Sequence, residues 1–350
     1  MKLASTTLSA NSANIIEEAL RSVVSWVDWC LVIDTGVTDD TLTRARAVAG
    51  EKLVVRSFPW QNDFSAARNF ALDAAHELGA SWAVTVDTDE RIELRGDDLR
   101  ATLAGMSEGV LLVFDEQRTY KKERCFRLPM PERYAGPTHE SFASYKVGTR
   151  SAEKAVFREL PKSADEAKKK FERDVAILEP YVRKHPKDPR WHYYLGESLK
   201  NLDRHAEAVR AYDVCQALKG WNEESAWACY RAAECLCRLN RFAEAVERCA
   251  LGLARHAGVA ELAWLAAFAA YQAGDAAQAV YWARLSVTHG LFRGDGASVP
   301  RIGFRHPPAL WEGPYDVLRY ALKQLGDQAG ADEAERLFAV ARERREKGPS

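Results

Sequence analysis

The first third of the chain alternates short apolar runs with amphipathic stretches. Residues 3–8, 30–33, 52–58, 82–86 and 110–114 are apolar or β-branched and bounded by turn formers, which predicts buried strands. Residues 13–24, 39–49 and 65–78 carry helical spacing instead. In the last of these, Phe64, Ala67, Phe70, Ala71, Ala74 and Leu78 fall near one face, the stripe of a surface helix. Strand–helix alternation predicts a mostly parallel sheet with right-handed crossovers and helices on both faces. Ligands of such sheets sit outside the carboxyl ends of the strands. Asp34, Asp63, Asp87 and Asp89 all fall at or shortly after those ends.

Beyond residue 160 the pattern changes. A charged, Pro-initiated stretch at 162–170 reads as a helix start or an interdomain linker with a solvated face. From Asp174 onward strand signals vanish and a repeat emerges. Residues 195–209 are echoed at 232–246 and again at 266–280, with their Ala-Val steps offset by 37 and then 34 residues. That period resembles a tetratricopeptide array. Gly196, Ala233 and Ala267, with Ala208, Ala245 and Ala279, are small enough for paired helices to approach closely. A less regular fourth unit follows at 315–325 and 331–343, after a Gly- and Pro-rich insertion at 290–314. The expected division is an α/β domain over 1–160 and an all-α repeat domain over 161–350, with a linker at about 161–172.

A length of 350 residues suits two domains better than one. Hydrophobic residues at 47% and charged residues at 28% describe a soluble globular protein. A formal net charge of −1 gives no basic field for nucleic acid or anionic lipid. No apolar run is long enough to span a membrane, and the N-terminus lacks the apolar core of a signal peptide. The seven cysteines are odd in number, and Cys235-Leu236-Cys237 is too tight for a zinc hook. They read as small buried thiols in a reducing compartment, so a cytoplasmic location is expected.

Candidate chemistry begins at Asp87-Thr88-Asp89-Glu90, which ends an apolar run. Two carboxylates one residue apart at a strand mouth suit a hard divalent cation, and they would share a face if the strand ran on. The same pair also serves as a turn former. Asp34 can accept hydrogen bonds from a nucleobase imide or a ribose, while Asp34-Thr35-Gly36 also makes a good turn before a helix capped by Thr38 or Asp39. Arg68 offers a planar guanidinium for a base carbonyl or a phosphate, or for a surface ion pair.

Three strings together are more specific than any one. The run Leu31-Val32-Ile33-Asp34-Thr35-Gly36-Val37-Thr38-Asp39-Asp40-Thr41 resembles the second-strand signature of family 2 glycosyltransferases. Phe64-Ser65-Ala66-Ala67-Arg68-Asn69-Phe70-Ala71 is similar to that family's Ala-Arg-Asn helix start, and Val86-Asp87-Thr88-Asp89-Glu90 to its Asp-x-Asp element. A subgroup in which such a domain precedes tetratricopeptide repeats extends the resemblance over nearly the whole chain. The resemblance implies a GT-A-like, nucleotide-binding α/β domain and metal-dependent, inverting transfer from a nucleotide-sugar donor, UDP-linked, with Mn2+ or Mg2+. It implies donor contacts from Asn11, Asp34, Arg68 and Asp87, with Asp87 touching ribose and metal-bound water and Asp89 ligating the metal directly. Gly136-Pro137-Thr138-His139-Glu140 resembles the subgroup's Gly-x-x-His-Glu segment. It makes Glu140 the candidate general base and His139 a further metal or phosphate contact, with Asp115 and Glu116 as rival bases and a polar loop as the plain alternative. The repeats would hold a glycan, peptide or protein acceptor, or a protein partner, on their concave face. Two departures stand out: the family's Lys-Asn-Glu is replaced by Ala10-Asn11-Ser12, and Val37 stands where a serine is usual. They leave a second reading open, a non-catalytic adaptor carrying a relic domain.

Overall fold

The computed structural model describes residues 1–96, 98–290 and 306–347, so residues 291–305 of the expected insertion lie outside the described residues. The chain divides into two compact units, Met1–Asp165 and Glu166–Ser350.

The first unit opens with β1 (Leu3–Ser9), α1 (Ile16–Arg21), β2 (Trp29–Asp34), α2 (Thr41–Ala49), β3 (Leu53–Ser57), α3 (Phe64–Glu77) and β4 (Trp82–Thr85). It continues with β5 (Glu90–Leu94), α4 (Leu99–Ala104), β6 (Val110–Asp115), β7 (Lys121–Arg127), β8 (Tyr134–Ala135), β9 (Ser141–Phe142) and β10 (Thr149–Glu159). Eight strands form one sheet in the order β3-β2-β1-β4-β7-β6-β10-β5. The half from β3 to β4 is wholly parallel, as the alternation predicts. In the other half β7 runs antiparallel to β4 and β6, and β5 antiparallel to β10, while β10 and β6 are parallel. The apolar pattern misses β5, β7 and β10 because charged residues interrupt them, as in Lys121-Lys122-Glu123-Arg124.

Strand side chains alternate faces, and the core follows that period. Leu3, Cys30, Val32 and Val84 pack with Ile16, Leu20, Ala45 and Leu103 on one face of the sheet. Ala4, Leu31, Ile33 and Ala83 pack with Ala71, Leu72 and Ala75 of α3 on the other. Burying each Leu or Ile stabilises the fold by roughly 1.5–3 kcal/mol, so the two-sided pattern fixes strand register. From β1 the chain winds through β2 to β3, and β4 then returns to the opposite side of β1. Such a reversal opens a crevice at the carboxyl ends of the two strands, where ligands of open sheets bind.

In the second unit α5 (Ala164–Lys184) precedes α6 (Pro189–Asn201), α7 (His205–Ala217), α8 (Asn222–Arg238), α9 (Phe242–Arg255), α10 (Ala260–Gln272), α11 (Ala276–His289), α12 (Pro307–Leu310), α13 (Gly313–Gln324) and α14 (Gln328–Lys347). Most of the expected linker is therefore helix, since α5 begins at Ala164. The repeat is carried by the pairs α6–α7, α8–α9, α10–α11 and α13–α14, a tetratricopeptide-like array. Each pair turns on a left-handed residue: Asp203 (φ 57°), Asn240 (56°), Gly274 (85°) and Gly326 (82°). The next amide in each turn donates back to the preceding helix: Arg204 N to Leu199 O (3.0 Å), Arg241 N to Leu236 O (2.9 Å), Asp275 N to Ala270 O (3.0 Å) and Asp327 N to Leu322 O (3.0 Å). These are Schellman closures, which satisfy orphan carbonyls and favour Gly or Asn at the turn. Gly196 has a packing reason: a Cβ there would lie 2.5 Å from the Tyr212 ring.

Candidate active site

The start of α3 organises the site. Asp63 caps the helix by accepting from Ala66 N at 2.9 Å. Ser65 and Asn69, one turn apart, lie on one helix face. The Ser65 hydroxyl donates to the Gly136 carbonyl, and the Asn69 amide exchanges bonds with the backbone of Tyr134 at 3.0 and 2.9 Å. Phe64 N donates to Pro137 O at 2.8 Å. The helix thus clasps residues 134–137 and brings the following Glu140 against Arg68. The Arg68 guanidinium forks onto Asp87, Nη1 to Oδ1 at 3.0 Å and Nη2 to Oδ2 at 3.2 Å, while its Nε donates to Glu140 Oε1. The Arg68 and Glu140 side chains are 14% and 13% exposed, so water screens their pairing poorly. Burial pushes the Asp87 carboxyl up, but Arg68, with Arg124 and Lys122, more than offsets this and holds it well below the usual carboxylate range.

A second layer lies beneath. Glu90 is 2% exposed and accepts from Arg124, and from Lys122 at 3.2 Å. Its backbone N donates to Asp87 O at 2.9 Å, closing the Asp87–Glu90 turn. Burial and the neighbouring Asp87 charge raise the Glu90 carboxyl, against the pull of Arg124 and Lys122. Asp89 stands apart from this layer: its carboxylate accepts from Lys162 Nζ at 2.6 Å, and its carbonyl from Leu160 N at 2.8 Å.

β4 ends at Thr85, so Asp87 and Asp89 lie in a turn and do not share a strand face. Among the described residues no group of three or more His, Cys, Asp and Glu side chains is arranged to hold a metal ion. Asp87, Asp89 and His139 form no such three-residue group. Arg68 takes both oxygens of Asp87 and Lys162 takes Asp89, so the chain's own cations meet these charges. His139 sits beside Glu140 in the β8–β9 loop, in left-handed backbone (φ 50°).

Asn11 and Asp34 lie at the ends of neighbouring strands and do local work. Asn11 Oδ1 accepts from Thr38 N at 2.8 Å, lacing the loop after β1 to the loop after β2. Asp34 Oδ1 accepts from Gly36 N (2.9 Å) and Val37 N (2.8 Å), the turn that its sequence allows. Asp115 is a turn residue too, accepting from Tyr120 N at 2.8 Å and Thr119 Oγ1 at 2.9 Å; burial raises its carboxyl, and these bonds bring it below its ordinary value. None of the seven cysteines is disulfide-bonded. Sequence reasoning missed Glu90, Lys122, Arg124 and Lys162. Only the Glu next to the Asp-x-Asp and the alternating charges at 121–124 hinted at them.

Residues 8–159 match Glycosyl transferase family 2. The SPbeta prophage-derived glycosyltransferase SunS of Bacillus subtilis is 25% identical over 212 residues, 57% of this chain and 49% of that protein. A TPR repeat-containing protein of Synechococcus elongatus is 34% identical over 137 residues, 37% of this chain and 32% of that protein. The chain thus spans half or less of the length of these curated relatives. A crystal structure of MamA aligns over 54% of this chain and 99% of its own, at 13% identity and a TM-score of 0.42.

Proposed function

We propose that this chain, whose first domain is a family 2 glycosyltransferase domain, moves a sugar from a nucleotide-sugar donor to a hydroxyl of a glycan, peptide or protein acceptor. The observation that carries the reading is Arg68, which joins three strings far apart in sequence, Phe64-Ser65-Ala66-Ala67-Arg68, Val86-Asp87 and His139-Glu140, into one partly buried ion-pair cluster. The cluster stands at the strand edge where open sheets bind ligands.

In this reading the donor's base and ribose lie over the ends of β1 and β2, near Asn11 and Asp34. An aspartate there suits the imide of uracil, which favours a UDP-linked donor. Transfer proceeds with inversion: Glu140 takes the acceptor proton on one face of the anomeric carbon, and the nucleoside diphosphate leaves from the other, on the side of Asp87 and Asp89. Arg68 holds Glu140 in place, and such positioning lowers the barrier by making the encounter effectively unimolecular. Asp87 and Asp89 have the oxygen chemistry that Mn2+ or Mg2+ prefers. As folded, each is engaged by a cationic side chain, so a divalent ion seated there would share these carboxylates with Arg68 and Lys162 or displace them. The repeat helices offer the surface for the acceptor or for a protein partner.

The test is mass spectrometry of the protein incubated with a panel of UDP- and GDP-sugars and candidate acceptors. The expected result is release of a nucleoside diphosphate and a hexose-sized mass gain on an acceptor. Donor binding without turnover across the whole panel would instead support the adaptor reading, which the altered Ala10-Asn11-Ser12 segment motivates.

A further inference from the structure

The chain that leaves β10 is pinned to the Asp87–Glu90 turn. Leu160 N donates to Asp89 O at 2.8 Å, Pro161 follows with its fixed φ, and Lys162 Nζ then meets Asp89 Oδ2 at 2.6 Å. Lys162 is thus delivered to the site with little backbone freedom. A second ammonium lies on the same edge: Lys122 pairs with Glu90 and with Glu159, the last residue of β10. Burial raises the Glu159 carboxyl, while bonds from Lys122 and Tyr120 and the charge of Lys162 bring it below its ordinary value, so both ammoniums act on one point. The Lys162 and Lys122 side chains are 39% and 35% exposed, open to a ligand. Beneath them Arg124 is 5% exposed and its Nε has no hydrogen-bond partner among the described residues, adding positive potential that water screens poorly.

We propose that Lys162, with Lys122, seats the diphosphate of the nucleotide donor. Ammonium groups of the chain then meet the leaving-group charge, and the diphosphate is bound without a divalent cation. The inference rests on the nucleotide-sugar reading above. An ammonium has three donors, so Lys162 can keep Asp89 as its orienting partner while it takes a phosphate oxygen. The exposed Lys162–Asp89 pair is weak by itself, whereas charge-assisted bonds to a phosphate are strong. Asp89 becomes the residue that aims the cation rather than a metal ligand.

The experiment is isothermal titration calorimetry of the full-length protein with UDP, GDP, UMP and GMP, in excess EDTA and again with Mn2+. The expected result is that UDP or GDP binds in EDTA, and that K162Q weakens this binding by about tenfold or more while K162R retains most of it. The matching monophosphate, which lacks the β-phosphate, should bind wild type and K162Q alike. Diphosphate binding that is unchanged in K162Q, or that appears only with Mn2+, overturns the inference and leaves the nucleotide reading standing. An equal loss for the monophosphate overturns it as well. No binding of any nucleotide under either condition sinks the nucleotide reading, and the inference with it.

Discussion

Arg68 is the residue on which the site turns, because two carboxylates from different parts of the chain depend on one guanidinium. Glu140→Gln keeps the shape and a hydrogen-bond acceptor for Arg68 but removes basicity. Donor affinity should stay near normal while transfer falls by roughly 10²–10⁴-fold, read as kcat against KM. Parent-rate transfer by that variant would return the base role to another group. Asp87 gives a pH signature. Its carboxyl is depressed in the fold, so the pairing stabilises above an unfolded pKa of about 3.9 and is lost as pH falls through the lower folded value. Glu90 has the opposite sign: its contribution is present below its unfolded pKa and is lost as pH rises through the raised folded value. Asp87→Asn should therefore flatten the acid limb of stability below about pH 4, measured as urea midpoints across pH. Parallel limbs for parent and variant would contradict the pairing. Arg68, Asp87 and Glu140 were legible because each sits in a recognisable string. Lys162 was not, because a lysine in a charged stretch looks solvated until the fold shows that Leu160 is tied to Asp89.

The same contrast holds for the elements. Strands β1 to β4 and helices α2 and α3 announce themselves by periodicity, since both faces of the parallel half-sheet are buried. The interrupting charges of β7 pair with partners that only the tertiary structure supplies, such as Glu90 under Arg124. In the repeats the legible feature has a backbone cause, the left-handed residue that closes each helix pair. Gly274→Ala should cost about 1 kcal/mol, because an L side chain is disfavoured at φ 85° even though nothing crowds the position. Gly196→Ala acts by a different route, driving a Cβ into the Tyr212 ring, and should cost about 1–3 kcal/mol. Urea denaturation measures both, and a neutral result at Gly274 would contradict the turn assignment.

For the whole molecule, the division at Asp165 and Glu166 predicts independent folding of the repeats. Each repeat needs only its neighbours, so a fragment beginning at Ser163 should give a helical circular-dichroism spectrum and a cooperative melt. An unfolded fragment would contradict the two-unit organisation. The proposed role of Arg68 is to assemble a glycosyl-transfer site from three separate strings. Its most direct test is the rate of nucleoside-diphosphate release from the best nucleotide-sugar donor, by wild type and Arg68→Ala side by side, with circular dichroism confirming the fold of both. Wild type should release the diphosphate, with a loss of roughly 10²-fold or more in the variant, since both Asp87 and Glu140 lose their partner. Equal rates in the two proteins would contradict it.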